Sequence, residues 1–102
     1  RDYIHVNDLA TAHVRCMETI NEKKKNITIN VASGKAYSVL EVIKKTNEIT
    51  NKTVKYSVVD RRSGDCAELV SVSNLAHELL DWECEFSDLQ TILESMWKVY
   101  AE

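Results

Sequence analysis

The sequence predicts an α/β fold, a small βαβαβαα domain in which helices cover a short sheet. Alternating polar and apolar residues mark three strand-like segments, at residues 1–6, 27–32 and 54–59. Apolar residues at helical spacing, each set following a capping residue, mark four helices between and after these segments. A length of 102 residues with 44% apolar composition suits one domain of this kind.

The first unit is a strand followed by a helix. In RDYIHV, residues 1–6, polar and apolar side chains alternate, as is typical of a strand with two different faces. From Asn7 the apolar residues recur at helical spacing, and Asn7 or Asp8 is available as the N-cap. The apolar residues of this helix are Leu9, Ala12, Cys16, Met17 and Ile20.

The second unit repeats this order. ITINVA, residues 27–32, has the alternation of a strand, and Gly34 lies in the turn that follows. Ser38 and Glu41 are then spaced as a capping box, in which each side chain satisfies a free backbone N–H at a helix start. The pattern predicts a helix from Ser38 to about Thr50.

The third strand-like segment, residues 54–59, precedes two helices. A short helix is predicted from Asn74 to Leu80, with Ser73 as its cap and with Leu75, Leu79 and Leu80 facing inward. The last helix follows the sequence SDLQ, residues 87–90, which has the spacing of a second capping box beginning at Ser87. Its apolar stripe is predicted to lie in the core and consists of Leu89, Ile92, Leu93, Met96, Trp97 and Tyr100.

Charge and cysteine content exclude several classes of function. A net charge of −3 gives no general attraction to nucleic acids or to anionic membranes. No apolar run is long enough to span a membrane, and no signal peptide is evident. Cys16, Cys66 and Cys84 form no CxxC motif and no metal-ligand spacing, so we expect reduced thiols in a cytoplasmic protein without a metal site.

The stretch DRRSGD, residues 60–65, concentrates charge around one of only two glycines. It directly follows a strand-like segment, where ligands of α/β proteins usually bind. An arginine fork can hold a phosphate through two hydrogen bonds, and a carboxylate can accept hydrogen bonds from sugar hydroxyls. The alternative is a charged turn in which Arg61 and Arg62 pair with Asp60 and Asp65 at the surface.

Three motifs occur together in a familiar order: RDYIHVNDLATAH at residues 1–13, SVLEV at 38–42 and RRSGDCAEL at 61–69. In this order the chain resembles the C-terminal part of the UDP-glucose 4-epimerases, within the extended short-chain dehydrogenase/reductase family. The resemblance implies that residues 1–102 form a C-terminal UDP-sugar-binding domain. It also implies a longer parent protein whose N-terminal Rossmann domain lies outside this chain.

The resemblance implies a substrate-binding role for four residues. Arg1 and Arg62 would contact the diphosphate of the UDP-sugar, Asp65 would accept from the uridine ribose, and Tyr3 would line the same pocket. Arg61 is expected to be a surface residue.

The resemblance also implies NAD in the parent enzyme, which would interconvert UDP-galactose and UDP-glucose and could form a homodimer. The chain holds neither the glycine-rich dinucleotide fingerprint nor the YxxxK motif of the family. We therefore expect no catalytic residue and no cofactor site here, and an inactive isolated chain. The alternatives are a fragment of another nucleotide-sugar epimerase, dehydratase or decarboxylase, or a non-catalytic interaction module.

Overall fold

The computed structural model describes residues 1–65 and 67–101, which contain four helices. They are α1 (Val6–Lys23), α2 (Val39–Thr50), α3 (Asn74–Leu80) and α4 (Leu89–Tyr100). All four helices were predicted, in this order. They pack in two pairs, α1 against α3 and α2 against α4.

The predicted strands are not formed within the described residues. Residues 27–32 and 54–59 lie outside regular secondary structure, and the one strand-like pairing in this part of the chain is an antiparallel bridge between Asp2 and Ala36. A strand needs a neighbouring backbone along its length, and residues 51–60 are exposed throughout. The alternating sequence pattern therefore identified segments that could form strands but not their pairing partners.

Helix α1 begins one residue earlier than predicted and has a different cap. The ring Nδ1 of His5 accepts a hydrogen bond from the Asn7 backbone N–H at 2.9 Å, so His5 is the N-cap. The prediction of Asn7 or Asp8 as the cap is wrong. Asp8 lies within the first turn instead, where its side chain is directed into the protein and is 1% exposed.

The buried carboxylate of Asp8 joins α1 to the segment before α4. It accepts hydrogen bonds from the backbone N–H groups of Glu85 and Phe86, each at 2.9 Å, and from the Ser87 hydroxyl. The Ser87 oxygen in turn accepts from the His5 backbone N–H at 2.9 Å. Three donors on one carboxylate compensate for the loss of its hydration.

Because Ser87 is engaged with Asp8, it does not cap α4, and the capping box predicted at Ser87 is wrong. Asp88 is the N-cap, and it accepts from the Thr91 backbone N–H at 3.0 Å and from the Thr91 hydroxyl at 2.6 Å. These two hydrogen bonds lower the pKa of Asp88 below its ordinary value. The other predicted capping box, between Ser38 and Glu41 at the start of α2, is confirmed.

The core lies between α1 and α3. Trp82 is 4% exposed, and its indole Nε1 donates to the Asp8 backbone oxygen at 3.1 Å and to Thr11 Oγ1 at 3.0 Å. Its large ring is therefore buried with its one polar group satisfied. The buried cluster consists of Ala12, Ala76, Leu80 and Trp82.

The predictions for α3 hold only in part. Ser73 occupies the N-cap position as predicted, but it makes no capping hydrogen bond, because its hydroxyl donates to the Ala32 backbone oxygen at 3.0 Å. Leu75, predicted to face inward, is exposed. Along α4 the apolar stripe is only partly buried, since Leu89 is buried but Met96 is exposed and Tyr100 is 73% exposed.

Candidate functional site

The first residues of the chain cross two other segments. The amino group of Arg1 donates to the Tyr37 backbone oxygen at 2.9 Å, and the Tyr37 N–H returns a hydrogen bond of 2.9 Å to the Arg1 oxygen. On the next residue, the Asp2 N–H donates to the Leu69 backbone oxygen at 3.1 Å. The segment that carries Arg1 and Tyr3 is thereby held beside the start of α2 and beside the segment that follows RRSGD.

The carboxylate of Asp2 fixes the turn after residues 27–32. One oxygen accepts from the Ser33 N–H at 3.0 Å and from the Ser33 hydroxyl at 2.6 Å, and the other accepts from the Gly34 N–H at 2.9 Å. Gly34 has a φ of 78°, which few other residues adopt without strain. Sequence reasoning missed this role of Asp2, although the residue lies within the quoted motif RDYIHV.

The RRSGD stretch forms a tight turn. The Asp65 N–H donates to the Arg62 backbone oxygen at 3.1 Å, and Gly64, at the third position of the turn, has a φ of 83°. A positive φ at this position is the signature of turns that prefer glycine there. The turn therefore brings the side chains of Arg62 and Asp65 to the same side.

Arg62 and Asp65 form an ion pair across this turn. The Nε of Arg62 donates to Asp65 Oδ2 at 3.0 Å, and Nη2 donates to Oδ1 at 3.4 Å. The Arg62 side chain is 85% exposed. For this one pair the structure has the surface contact that the alternative interpretation predicted, and such a contact contributes only about 0–1 kcal/mol.

The four predicted site residues thus form two pairs on neighbouring segments. Arg1 and Tyr3 are half-buried and flank Asp2, while Arg62 and Asp65 lie across the turn. The hydrogen bond from the Asp2 N–H reaches Leu69, so it joins the first pair to the segment that follows the turn. Guanidinium, carboxylate and phenol groups can each hydrogen-bond phosphate or sugar oxygens.

The partly buried thiol of Cys84 lies elsewhere, against the core. Burial raises the pKa of Cys84, the hydrogen bond with Ser87 opposes this effect, and the carboxylates of Asp8 and Asp2 add to the rise. A thiol with a raised pKa is a poor nucleophile at neutral pH. Cys16 is also a free thiol, whereas Cys66 lies outside the described residues.

Residues 1–65 and 67–101 contain no group of three or more His, Cys, Asp or Glu side chains that could hold a metal ion. None of the helices described is both long enough and apolar enough to cross a membrane. Gly34 and Gly64 lie in separate turns, so the chain does not fit NAD through a glycine-rich loop.

Comparison with known proteins decides which family the motifs indicate. No family model matches the chain. A UDP-glucose 4-epimerase of Corynebacterium glutamicum is 43% identical over 95% of this chain, and that of Mus musculus is 37% identical over 96% of it. The chain matches a C-terminal segment of the UDP-glucose 4-epimerases. The resemblance predicted from the sequence is therefore confirmed, and the chain spans about 29% of the length of these epimerases.

Solved epimerase structures agree with this result. The UDP-glucose 4-epimerase of Stenotrophomonas maltophila, solved with bound NAD and formylated UDP-arabinopyranose, matches 96% of this chain with a TM-score of 0.90 and 37% identity, over 29% of its own length. The enzyme of Bifidobacterium longum, solved in complex with NAD+ and UDP, matches 99% of the chain with a TM-score of 0.84 and 32% identity, over 30% of its own length. The chain therefore shares the local fold of a segment of the UDP-glucose 4-epimerases.

Proposed function

We propose that this chain is the C-terminal UDP-sugar-binding part of an enzyme that interconverts UDP-galactose and UDP-glucose. The observation that carries the proposal is the hydrogen bond from the Asp2 N–H to the Leu69 oxygen. It holds the segment of Arg1 and Tyr3 beside the segment that follows the RRSGD turn. We therefore propose that two groups of residues about sixty positions apart in sequence act on one ligand.

Each residue has a role that follows from its chemistry. Arg1 and Arg62 contact the diphosphate, because guanidinium groups form strong, charge-assisted hydrogen bonds to phosphate oxygens. Asp65 accepts hydrogen bonds from the uridine ribose hydroxyls, and Tyr3 lines the same pocket. Arg61, although next to Arg62, remains a surface residue.

The ion pair between Arg62 and Asp65 is compatible with this assignment. The Arg62 side chain is 85% exposed, so a ligand can reach its guanidinium group. Because the ion pair is exposed, exchanging its hydrogen bonds for contacts to phosphate and ribose costs little free energy. The ligand can therefore separate the two side chains and hydrogen-bond each of them.

The parent protein is proposed to hold NAD in an N-terminal Rossmann domain outside this chain, where NAD would exchange a hydride with the sugar. The residues of this chain instead bind the nucleotide end and orient the sugar from a distance. We also propose that the predicted α/β sheet forms when residues 27–32 and 54–59 pair with strands of the remaining protein.

The broader setting of the protein belongs to the same proposal. We propose galactose metabolism in the cytoplasm, which the similarity to these epimerases and the free thiols of Cys16 and Cys84 support. The parent enzyme is proposed to form a homodimer. The negative net charge supports a small-molecule partner and not a nucleic acid or a membrane.

The test compares neighbouring arginines in the intact parent protein. We expect Arg62→Ala to weaken UDP binding by about 1.5–3 kcal/mol, the range for a hydrogen bond to a charged group. Arg61→Ala is the matched control, since it removes the same charge one position away, and it should have a much smaller effect. Equal effects in a calorimetric UDP titration would contradict the assignment, because only a general charge effect would explain them.

A further inference from the structure

We propose that Asp2 is a positioning residue of the UDP site, which sets the place of Arg1 and Tyr3 relative to Arg62. This inference rests on the proposed function, since it concerns the same site. It assigns no contact between Asp2 and the ligand. Asp2 instead acts through the three segments that its backbone and carboxylate join.

The direction of its side chain is the first argument. Asp2 takes part in an antiparallel bridge with Ala36, so the local backbone has the geometry of a strand. Successive side chains of a strand point to opposite faces. Because the Asp2 carboxylate contacts Ser33 and Gly34 on one face, Arg1 and Tyr3 project toward the other.

Both carboxylate oxygens of Asp2 accept hydrogen bonds. Ser33 donates twice to one oxygen, and the Gly34 N–H donates to the other. All three hydrogen bonds form only if both terminal atoms of the side chain at position 2 are acceptors. An asparagine has the same shape, but in either orientation its NH2 group faces a donor, so at least one hydrogen bond is replaced by a repulsive contact.

The contacts of the Asp2 side chain are separate from those that stabilise the core. The buried core around Trp82 and the buried Asp8 network involve neither the Asp2 carboxylate nor the turn at Gly34. The Asp2 contacts are only part-buried or exposed. Loosening them should shift the segment that carries Arg1 more than it weakens the fold.

The experiment measures Asp2→Asn in the intact parent protein. We expect UDP affinity to fall about tenfold and the KM for UDP-galactose to rise by a similar factor, because a displacement of the order of an ångström disturbs a charge-assisted contact strongly. The kcat should stay within about twofold, because the diphosphate end is remote from the reacting carbon. A folded variant with unchanged UDP affinity, or one that loses kcat with unchanged KM, would overturn the inference.

Further variants keep the outcomes distinct. Ser33→Ala removes the hydroxyl donor from the same carboxylate and should weaken UDP binding in the same direction but less, so it decides the matter if Asp2→Asn does not fold. Asp88→Asn alters a capping carboxylate at α4 and should lower the melting temperature without changing UDP affinity.

If Arg62→Ala weakens UDP binding and the Asp2 and Ser33 variants do not, only this inference fails. If Arg62→Ala has no effect either, the proposed function fails.

Discussion

At the scale of single residues, Asp8 connects more of the molecule than any motif suggested. Its carboxylate accepts two backbone N–H groups and the Ser87 hydroxyl, while its own backbone oxygen accepts from the Trp82 indole. A buried charge is tolerated only when its hydrogen bonds are complete. Asp8 therefore fixes the path of the chain between α3 and α4.

We predict that Asp8→Ala destabilises the chain by about 2–4 kcal/mol, because the buried Ser87 hydroxyl and the part-buried N–H groups of Glu85 and Phe86 lose their acceptor, and a buried donor left without a partner costs about 1–3 kcal/mol. This is a large share of the stability of an ordinary domain. Urea unfolding followed by circular dichroism would measure it, with Asp60→Ala as the exposed control. Equal midpoints for the two variants would show that the Asp8 network contributes nothing to stability.

At the scale of elements, the two tryptophans occupy different environments. Trp82 lies in the core between α1 and α3 with its indole N–H paired. Trp97 lines the open groove between α2 and α4, and the Lys52 ammonium lies 5.7 Å from its ring centroid. The helical stripe alone predicted that Trp97 is core, whereas nothing in the spacing of residues 81–88 indicated Trp82.

We predict that Trp82→Ala costs at least about 3–5 kcal/mol of stability, as for a fully buried aromatic residue. Trp97→Ala should cost clearly less, because Trp97 is only partly buried and its cation–π contact with Lys52 is weak. Thermal unfolding of both variants gives the comparison. A larger loss from Trp97 would mean that α2 and α4, and not α1 and α3, enclose the main core.

The sequence predicted helices far better than their surroundings. Periodicity located α2 and α3 nearly to the residue, because helical hydrogen bonds are local, and the capping box of Ser38 and Glu41 also marks the start of α2. The caps at His5 and Asp88 were missed, since Asp8 and Ser87 looked like local caps but satisfy each other across the fold. Strand pairing is non-local, so an alternating pattern could not specify the partner.

In the candidate site, too, local contacts were predictable and contacts between distant segments were not. Arg62 and Asp65 were predictable as a pair because they are only three positions apart and Gly64 between them allows a tight turn. The link through Asp2 and Leu69 was not, because it depends on how distant segments meet. The roles of the four site residues in UDP binding remain predictions.

At the scale of the whole molecule, α1 has apolar residues on two sides. One side, with Ala12, packs into the core. The opposite side carries Val6, Val14 and Met17, and Met17 is 71% exposed. Their spacing places these three residues within one face of a helix. A bare apolar face of this kind favours association when no other part of a protein covers it.

We therefore predict that the isolated chain self-associates and that Met17→Lys reduces this association. Burying the methionine side chain is favourable by about 1.5–3 kcal/mol, and a lysine at an apolar contact opposes it. Sedimentation velocity over a range of concentrations would detect the change. Arg15→Met, at an exposed position on another side of α1, would serve as the opposite control. An isolated chain that remains monomeric at all concentrations would contradict this prediction.

A crystal structure of the intact parent protein with UDP would show whether this chain supplies the UDP-binding part of an epimerase. We expect nitrogens of Arg1 and Arg62 to lie about 2.7–2.9 Å from diphosphate oxygens, with Asp65 hydrogen-bonded to the ribose. A structure in which UDP lies away from Arg1 and the RRSGD turn, and Arg62 remains paired with Asp65 alone, would contradict it.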